Sequence, residues 1–148
     1  MLKKLFTTNN DAGLALIRIA LGVVMFPHGA QKVLGWYGGY GWSGTMGFMT
    51  GTLGVPALFG VLAILAEFLG SLGLVSGLLG RVAAFGIFVN MLVAVAMVHG
   101  KVGFFMNWAG AQQGEGFEYH ILAAAMALLI MIKGSGAYSA DRLIANKA

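Results

Sequence analysis

Two ionisable residues lie inside long apolar runs of this 148-residue sequence and are the first candidates for chemistry. Glu67 has only apolar or small residues for several helical turns on either side, and Arg18 interrupts an earlier run. A charge in hydrocarbon costs about 3 kcal/mol or more, so such a carboxylate must be paired or protonated. We predict that Arg18, with its long forked side chain, is the partner of Glu67. The pair is then either structural, fixing helix register, or catalytic, handling a proton or a ligand.

Other titratable residues gather near the ends of apolar runs. His28 and Lys32 are four residues apart, so they share one face of a helix. His99 and Lys101 close the third apolar run. The fourth run opens with Glu115, Glu118 and His120. One interpretation places these side chains at a membrane interface, where they reach headgroups and water.

Two cofactor sites can be drawn from the same residues. His99, Glu118 and His120 have the ligand types of a metal site, but their spacing matches no zinc motif. His28 and His99 could ligate a haem from two helices, but bis-histidine haem needs wider helix separation than a small bundle allows. We therefore expect no metal site and no intrinsic cofactor.

The segment 35–54, GWYGGYGWSGTMGFMTGTLG, is uncharged and rich in glycine, and we predict a loop there. Its aromatic residues are Trp36, Tyr37, Tyr40, Trp42 and Phe48. They form either an interfacial aromatic belt or a lid, made flexible by its glycines, over a lateral pocket for a flat lipid-soluble ligand. Trp108, in a later loop on the same side, would complete the same aromatic surface.

The composition of the chain indicates that these residues are surrounded by a membrane and not by water. The chain is 59% hydrophobic and 9% charged, with a mean hydropathy of +0.85, whereas a soluble domain is about a quarter charged. It has no cysteine, which excludes thiol exchange, iron–sulfur ligation and a cysteine nucleophile. Its net charge of +4 comes from scattered lysines and arginines, so no basic face indicates nucleic-acid binding. We predict a single membrane domain over residues 1–148.

Four apolar segments approach the ~20 residues that cross a bilayer core of about 30 Å. They lie at roughly 13–34, 55–79, 81–100 and 117–133. The sequence thus predicts an all-α fold, a transmembrane four-helix bundle with both termini on one side. That side carries the cations Lys3, Lys4, Arg81, Lys133, Arg142 and Lys147. The excess of positive charge on this side predicts cytoplasmic termini.

The turn at Gly80 and Arg81 is so short that the second and third spans are predicted to form an antiparallel hairpin. Each of these spans carries a stripe of small residues at helical spacing, which allows close backbone approach. The first stripe is Gly60, Ala63, Gly70, Ser71, Leu74 and Gly77, and the second is Ala83, Gly86, Asn90, Ala94 and Met97. Packing of the two stripes would bring Asn90 near the middle of the bundle interior.

Taken in order along nearly the whole chain, these residues resemble the DoxX family of small four-helix membrane proteins. The matching positions are Arg18, Leu21, Gly22, His28, Gly29 and Lys32; Pro56, Glu67, Gly70 and Gly73; Gly80 and Arg81; 116–119; and 134–136, Ser139 and Asp141. The resemblance implies a multi-pass protein of a bacterial or archaeal inner membrane. Its better-known relatives are subunits of quinol oxidase or thiosulfate:quinone oxidoreductase assemblies, and others partner sulfur-transfer or superoxide-handling proteins. The resemblance carries over no catalytic assignment.

Three functions follow as hypotheses. The first is the membrane subunit of a quinone-dependent oxidoreductase, whose protein partner carries the redox centre. In it Glu67 and Arg18 manage a proton, and a quinone or lipid headgroup is held by His28, Lys32, Trp36, Trp42, His99 and Glu118. The second is an accessory subunit that anchors a larger complex and performs no chemistry. The third, a small-molecule or proton carrier, lacks the inverted repeat typical of transporters. The sequence leaves homo-oligomer formation open.

Overall fold

The structure is a computed structural model that describes residues 3–146, so Lys147 of the predicted charge pattern lies outside it. All regular elements within that range are helical. The α-helices are α1 (Lys3–Phe6), α2 (Ala12–Val33), α3 (Gly41–Gly47), α4 (Ala57–Ser76), α5 (Gly80–Met97), α6 (Glu118–Lys133) and α7 (Ala140–Ala145). Short 3-10 turns occupy Trp36–Gly38 and His99–Lys101, and a π-helical turn occupies Phe48–Thr52.

The four longest helices, α2, α4, α5 and α6, follow the four predicted apolar segments to within a few residues. They pack around one apolar core, to which each contributes; its members are Leu14, Leu21, Met25, Leu74, Ala84, Ile87, Met91, Ala123, Ala127 and Ile130. Three of them, α2, α4 and α5, are long and apolar enough to cross a membrane. The fourth, α6, has 16 residues and would rise about 24 Å.

Large apolar side chains cover the outside of these helices. Leu16 is 70% exposed, Leu58 67% and Leu122 66%. In water such surfaces would be costly, because contiguous exposed apolar patches are rare on soluble monomers. An apolar exterior around a tightly packed interior is the arrangement expected in lipid.

The two ends of the molecule differ. The end that carries the α4–α5 turn also holds both described termini, because Arg81 donates to the Thr7 carbonyl oxygen at 3.1 Å and Arg142 binds Asn10. We call it the terminal end. The opposite end carries the connections 34–56 and 98–117, and we call it the loop end. The common position of the termini agrees with an even number of crossings.

Two glycines of α2 allow this helix to pack closely against α4. A Cβ on Gly29 would stand 2.6 Å from the Phe68 Cα, and one on Gly22 would stand 3.0 Å from the Ser71 carbonyl oxygen. These contacts fix the register of the two helices, placing Gly29 beside Glu67 and Phe68 and Gly22 beside Ser71 and Leu74.

The α4–α5 hairpin packs through small residues, as predicted, but over a shorter stretch. A Cβ on Gly86 would lie 3.0 Å from the Ala66 Cβ, and one on Gly70 would lie 3.4 Å from the Ala83 carbonyl oxygen. The prediction of a single stripe on α4 was wrong, because Ser71 and Leu74 face α2 instead. A helix in a bundle has two neighbours, so its small residues divide between two faces.

The segment 35–54 is largely helical, so the prediction of a loop was wrong. It contains the 3-10 turn, α3 and the π-helical turn. Thr45 is buried, and the Met46 sulfur lies 3.3 Å from the position of a Cβ on Gly60. Packing onto α2 and α4 therefore outweighs the low helix propensity of glycine.

Candidate functional site

A lateral groove runs along the outside of the α4–α5 hairpin and has a volume of about 1320 Å³. Its floor is made of small side chains, among them Ala66, Gly70 and Gly86. Its walls carry large apolar residues such as Leu62 and Phe85, which are 52% and 56% exposed. A groove with an apolar lining and an exposed rim is suited to a ligand that enters sideways from the bilayer.

Residues 38–54 close the loop end of this lateral groove. The lining includes Gly38, Gly39, Tyr40, Thr45, Phe48, Met49, Leu53 and Gly54 from this segment. Gly38 and Gly54 have φ values of +75° and +68°, a region that favours glycine. Of the aromatic residues of the predicted lid, Tyr40 and Phe48 line the groove, whereas Trp36, Tyr37 and Trp42 are absent from its lining within the described range.

Lys32 and Glu67 form an ion pair inside the lateral groove. The Lys32 Nζ donates to Glu67 Oε2, and the two side chains are 28% and 8% exposed. Lys32 reaches the carboxylate from the last turn of α2, because α2 ends beside the middle of α4. The groove thus contains a nearly buried carboxylate whose charge is balanced from a different helix.

Asn90 of α5 completes this polar cluster. Its Nδ2 donates to the Ala63 carbonyl oxygen at 2.9 Å and to Glu67 Oε1 at 3.1 Å. Both carboxylate oxygens of Glu67 therefore accept a hydrogen bond, from α2 and from α5. Asn90 is half-buried and lines the lateral groove, so the prediction that it lies near the middle of the bundle interior was wrong. Its contact with Glu67 still links three helices through one side chain.

The polar cluster of Lys32, Glu67 and Asn90 leaves defined bonding groups for a ligand. An ammonium has three donors, and Lys32 uses one of them on Glu67 within residues 3–146. The Asn90 Oδ1 accepts no hydrogen bond from that part of the chain. Because the ion pair is neutral overall, the cluster suits an uncharged headgroup that carries carbonyl or hydroxyl oxygens.

Arg18 does not pair with Glu67, so the predicted ion pair was wrong. It is fully buried, and its carbonyl acceptors on α4 are those of Leu74 and Val75. Glu67 lies seven residues before Leu74, which corresponds to about 10 Å along the helix. Arg18 therefore lies level with the last turn of α4, whereas Lys32 lies level with Glu67 in the middle of that helix.

The guanidinium of Arg18 binds only backbone carbonyls. Its Nε donates to the Ser135 oxygen at 2.7 Å, its Nη1 to Leu74 and to Val75 at 2.9 Å, and its Nη2 to Ala137 at 3.3 Å and to Tyr138 at 3.1 Å. An arginine has five N–H donors, and all are used. A cation at the last turn of α4 also complements the helix dipole.

Asp141 is a buried carboxylate close to Arg18 that the sequence reasoning did not single out as a site. It accepts from the Leu79 N–H at 2.6 Å, the Gly80 N–H at 2.9 Å and the Ser135 hydroxyl at 2.5 Å. It thereby caps the start of α5. Arg18 and Asp141 together tie α2, the α4–α5 turn and the segment 134–141 into one unit, which we call the terminal clamp.

The other predicted headgroup residues lie in different places. His99 lines the loop end of the lateral groove, whereas His28, Trp36, Trp42 and Glu118 are absent from its lining within the described range. His28 is exposed beside Tyr119, and Glu118 accepts from the Met106 N–H at 2.9 Å. Glu118 therefore orders the 98–117 connection.

The histidines lie at the same level but are not gathered with carboxylates. The His99 and His120 rings are 4.1 Å apart between centroids. Across residues 3–146 no three histidine or acidic side chains are placed to hold one metal ion. Glu118 faces the 98–117 connection, so the donor set drawn from the sequence does not form a single site.

The fold and the lateral groove define the class of the protein: a helical, multi-pass membrane protein with a polar cluster inside an apolar groove. The sequence model of the DoxX family matches residues 13–100. The chain therefore belongs to the DoxX family. No curated protein and no solved structure matches it.

Proposed function

We propose that the chain is a four-span subunit of a bacterial or archaeal plasma membrane that binds a quinone in the lateral groove. It would serve an assembly of the quinol oxidase or thiosulfate:quinone oxidoreductase type, in which a partner protein carries the redox centre. The observation that carries this proposal is the neutral cluster of Lys32, Glu67 and Asn90 inside an apolar groove of about 1320 Å³.

Both the oxidised and the reduced form of a quinone can form hydrogen bonds with the polar cluster. Its carbonyl oxygens are acceptors for the Lys32 ammonium, and the hydroxyl of the reduced form is a donor for the Asn90 Oδ1. Its apolar tail would follow the small-residue floor past Gly70 toward Leu78. The chain has no cysteine, so electrons would pass to the partner and not through a thiol or iron–sulfur centre of this chain.

The orientation is part of the proposal. Arg81, Lys133 and Arg142 lie at the terminal end, and positive residues favour the cytoplasmic side. Both termini would then be cytoplasmic, α6 would be the fourth span, and the lid of residues 38–54 would lie toward the outer face.

The amount of quinone that remains bound to the protein after mild purification tests whether the lateral groove binds a quinone. The double variant Lys32→Met with Glu67→Gln removes both charges of the pair, and we expect it to lose at least about tenfold of the bound quinone, equal to roughly 1.4 kcal/mol of affinity. The measurement is chromatography of the extracted lipids per mole of folded protein.

The control for this measurement makes the same charge changes outside the groove. Lys101→Met with Glu115→Gln alters two exposed residues of the loop end and should retain the wild-type quinone content. Equal quinone in the two double variants, or none in the wild type, would contradict the proposal.

A second candidate function is that of an accessory subunit without chemistry. It is favoured by the terminal clamp, since the described hydrogen bonds of Arg18 and Asp141 go to backbone groups and to the Ser135 hydroxyl. In that case the groove variant would release the partner protein during purification and leave turnover per intact complex unchanged.

A further inference from the structure

The lid of residues 38–54 brings one buried polar side chain to the lateral groove, that of Thr45. Thr45 is 6% exposed, and it is the one buried residue among 38–54. It also belongs to the lining of the groove. Its helix, α3, packs against α2 and α4, the helices that carry Lys32 and Glu67. Thr45 is therefore a point at which the lid itself can contact a ligand.

The Thr45 hydroxyl has no hydrogen-bond partner within residues 3–146. A serine or threonine in a helix commonly donates to a carbonyl oxygen three or four residues earlier. Thr50 of the same lid does so, to the Met46 oxygen at 2.8 Å, and Ser76 does so to the Leu72 oxygen at 2.8 Å. Buried polar groups are nearly always hydrogen-bonded, so the exception at Thr45 indicates a partner that does not belong to the described chain.

The Thr45 hydroxyl oxygen is open to the groove. Among the described residues, the side-chain polar atoms that are both sealed from solvent and unpartnered are Arg81 Nε and His120 Nδ1. The Thr45 Oγ1 is also unpartnered, but it retains accessible surface. The open space that Thr45 lines is the lateral groove, so a ligand in the groove can reach this hydroxyl.

Thr45 lies on the loop-end side of the polar cluster of Lys32, Glu67 and Asn90. The sulfur of the adjacent Met46 lies 3.3 Å from the position of a Cβ on Gly60. Gly60 precedes Glu67 by seven residues, which corresponds to about 10 Å along α4. Two hydrogen bonds of about 2.8 Å each, together with a ring that carries oxygens on opposite sides, fill a span of this size. A lipid with a single polar end does not.

We propose that the Thr45 hydroxyl binds the second ring oxygen of a quinone whose first ring oxygen is bound by the polar cluster. A hydroxyl donates to the carbonyl of the oxidised form and accepts from the hydroxyl of the reduced form, so Thr45 serves both. The lid thereby selects a ring with oxygens on opposite sides. This inference rests on the proposed function, because it assigns the second contact of the same ligand.

Substitutions at Thr45 separate this contact from a structural role. Thr45→Val keeps the shape of the side chain and removes the hydroxyl, whereas Thr45→Ser keeps the hydroxyl. Because the hydroxyl has no partner within the described chain, Thr45→Val should melt at the wild-type temperature or above it when the protein is free of quinone. A hydroxyl that stabilised the fold would give the opposite result, and a lower melting temperature would overturn the inference.

Binding of two matched probes to the quinone-depleted full chain in lipid nanodiscs tests the contact. One probe is a short-tailed 1,4-benzoquinone, and the other is a phenol with the same tail, which lacks the second ring oxygen. Thr45→Val should bind the quinone about tenfold more weakly than the wild type, which corresponds to one lost hydrogen bond, and should bind the phenol equally well. Thr45→Ser should bind both probes as the wild type does.

Two further variants complete the comparison. Thr50→Val removes a lid hydroxyl that is bonded within its own helix and lies outside the groove lining, so it should retain the wild-type affinity for the quinone. Thr45→Ala, a second variant without the hydroxyl, should show the same loss as Thr45→Val. Wild-type affinity for the quinone in either folded variant, or an equal loss for quinone and phenol, would overturn the inference alone. Absence of quinone binding in the wild type would overturn the proposed function and the inference with it.

Discussion

Replacing Arg18 by methionine is expected to destabilise the protein by about 3–5 kcal/mol, the largest effect of any single substitution considered for this chain. The side chain is fully buried, and its five N–H donors satisfy carbonyl groups from α4 and from the segment 134–141. Removing it leaves those carbonyls unpaired in the interior and Asp141 without its nearby cation. Folded protein recovered in mild detergent should fall sharply.

Thermal unfolding in detergent measures this effect, with two comparison variants. Arg18→Lys keeps the charge but offers three donors for five carbonyls, so it should recover only part of the stability. Arg142→Met removes a half-buried arginine of the same end that binds Asn10 and should cost less than about 1 kcal/mol. If Arg18→Met unfolded at the same temperature as Arg142→Met, the structural role of the terminal clamp would be refuted.

Replacing Glu67 by glutamine is expected to cost about 2–4 kcal/mol, because it leaves the Lys32 ammonium without its counter-charge beside an apolar groove. The Asn90 amide also loses a charged acceptor. The partial exposure of Lys32 keeps the cost below that of Arg18→Met, since its ammonium can still reach solvent or headgroups.

A double-mutant cycle separates this ion pair from other effects of the substitution. Lys32→Met combined with Glu67→Gln removes both charges and should recover most of the stability lost by Glu67→Gln alone. Chemical or thermal unfolding of the four proteins gives the coupling. Additive losses in the double variant would mean that the two side chains do not interact in the folded protein.

The sequence was sufficient to predict the helices because each apolar run has a definite length and is separated from the next by loop or turn residues. The predicted run 13–34 became α2, Ala12–Val33, and the run 117–133 became α6, Glu118–Lys133. The hairpin was also predictable, since the short turn at Gly80 makes α4 and α5 antiparallel neighbours. These properties are local, and they need no knowledge of how deep one helix lies against another.

The partner of Glu67 could not be predicted, because pairing depends on the relative depth of two helices. The contact of Gly29 with Phe68 sets that depth, and it places Lys32, and not Arg18, beside the carboxylate. Both cations are present in the sequence at plausible positions. Only the register between α2 and α4 distinguishes them.

Two other features were hidden for different reasons. The glycine-rich segment 35–54 gives no helical signal, and its helical turns form because they pack on α2 and α4. The terminal clamp did have a local signal: Ser139 is the N-cap of α7 and accepts from the Arg142 N–H at 3.3 Å. The role of Asp141 in capping α5 is a long-range contact that no spacing reveals.

Photoaffinity labelling with an azido-quinone, followed by peptide mapping, tests most directly whether the lateral groove is a quinone site. The account predicts that the label falls on groove-lining residues of α4 and α5, such as Ala63 and Val93, and that unlabelled quinone competes with it. Label confined to the exposed outer faces of α2 and α6, or label that unlabelled quinone fails to displace, would contradict the account.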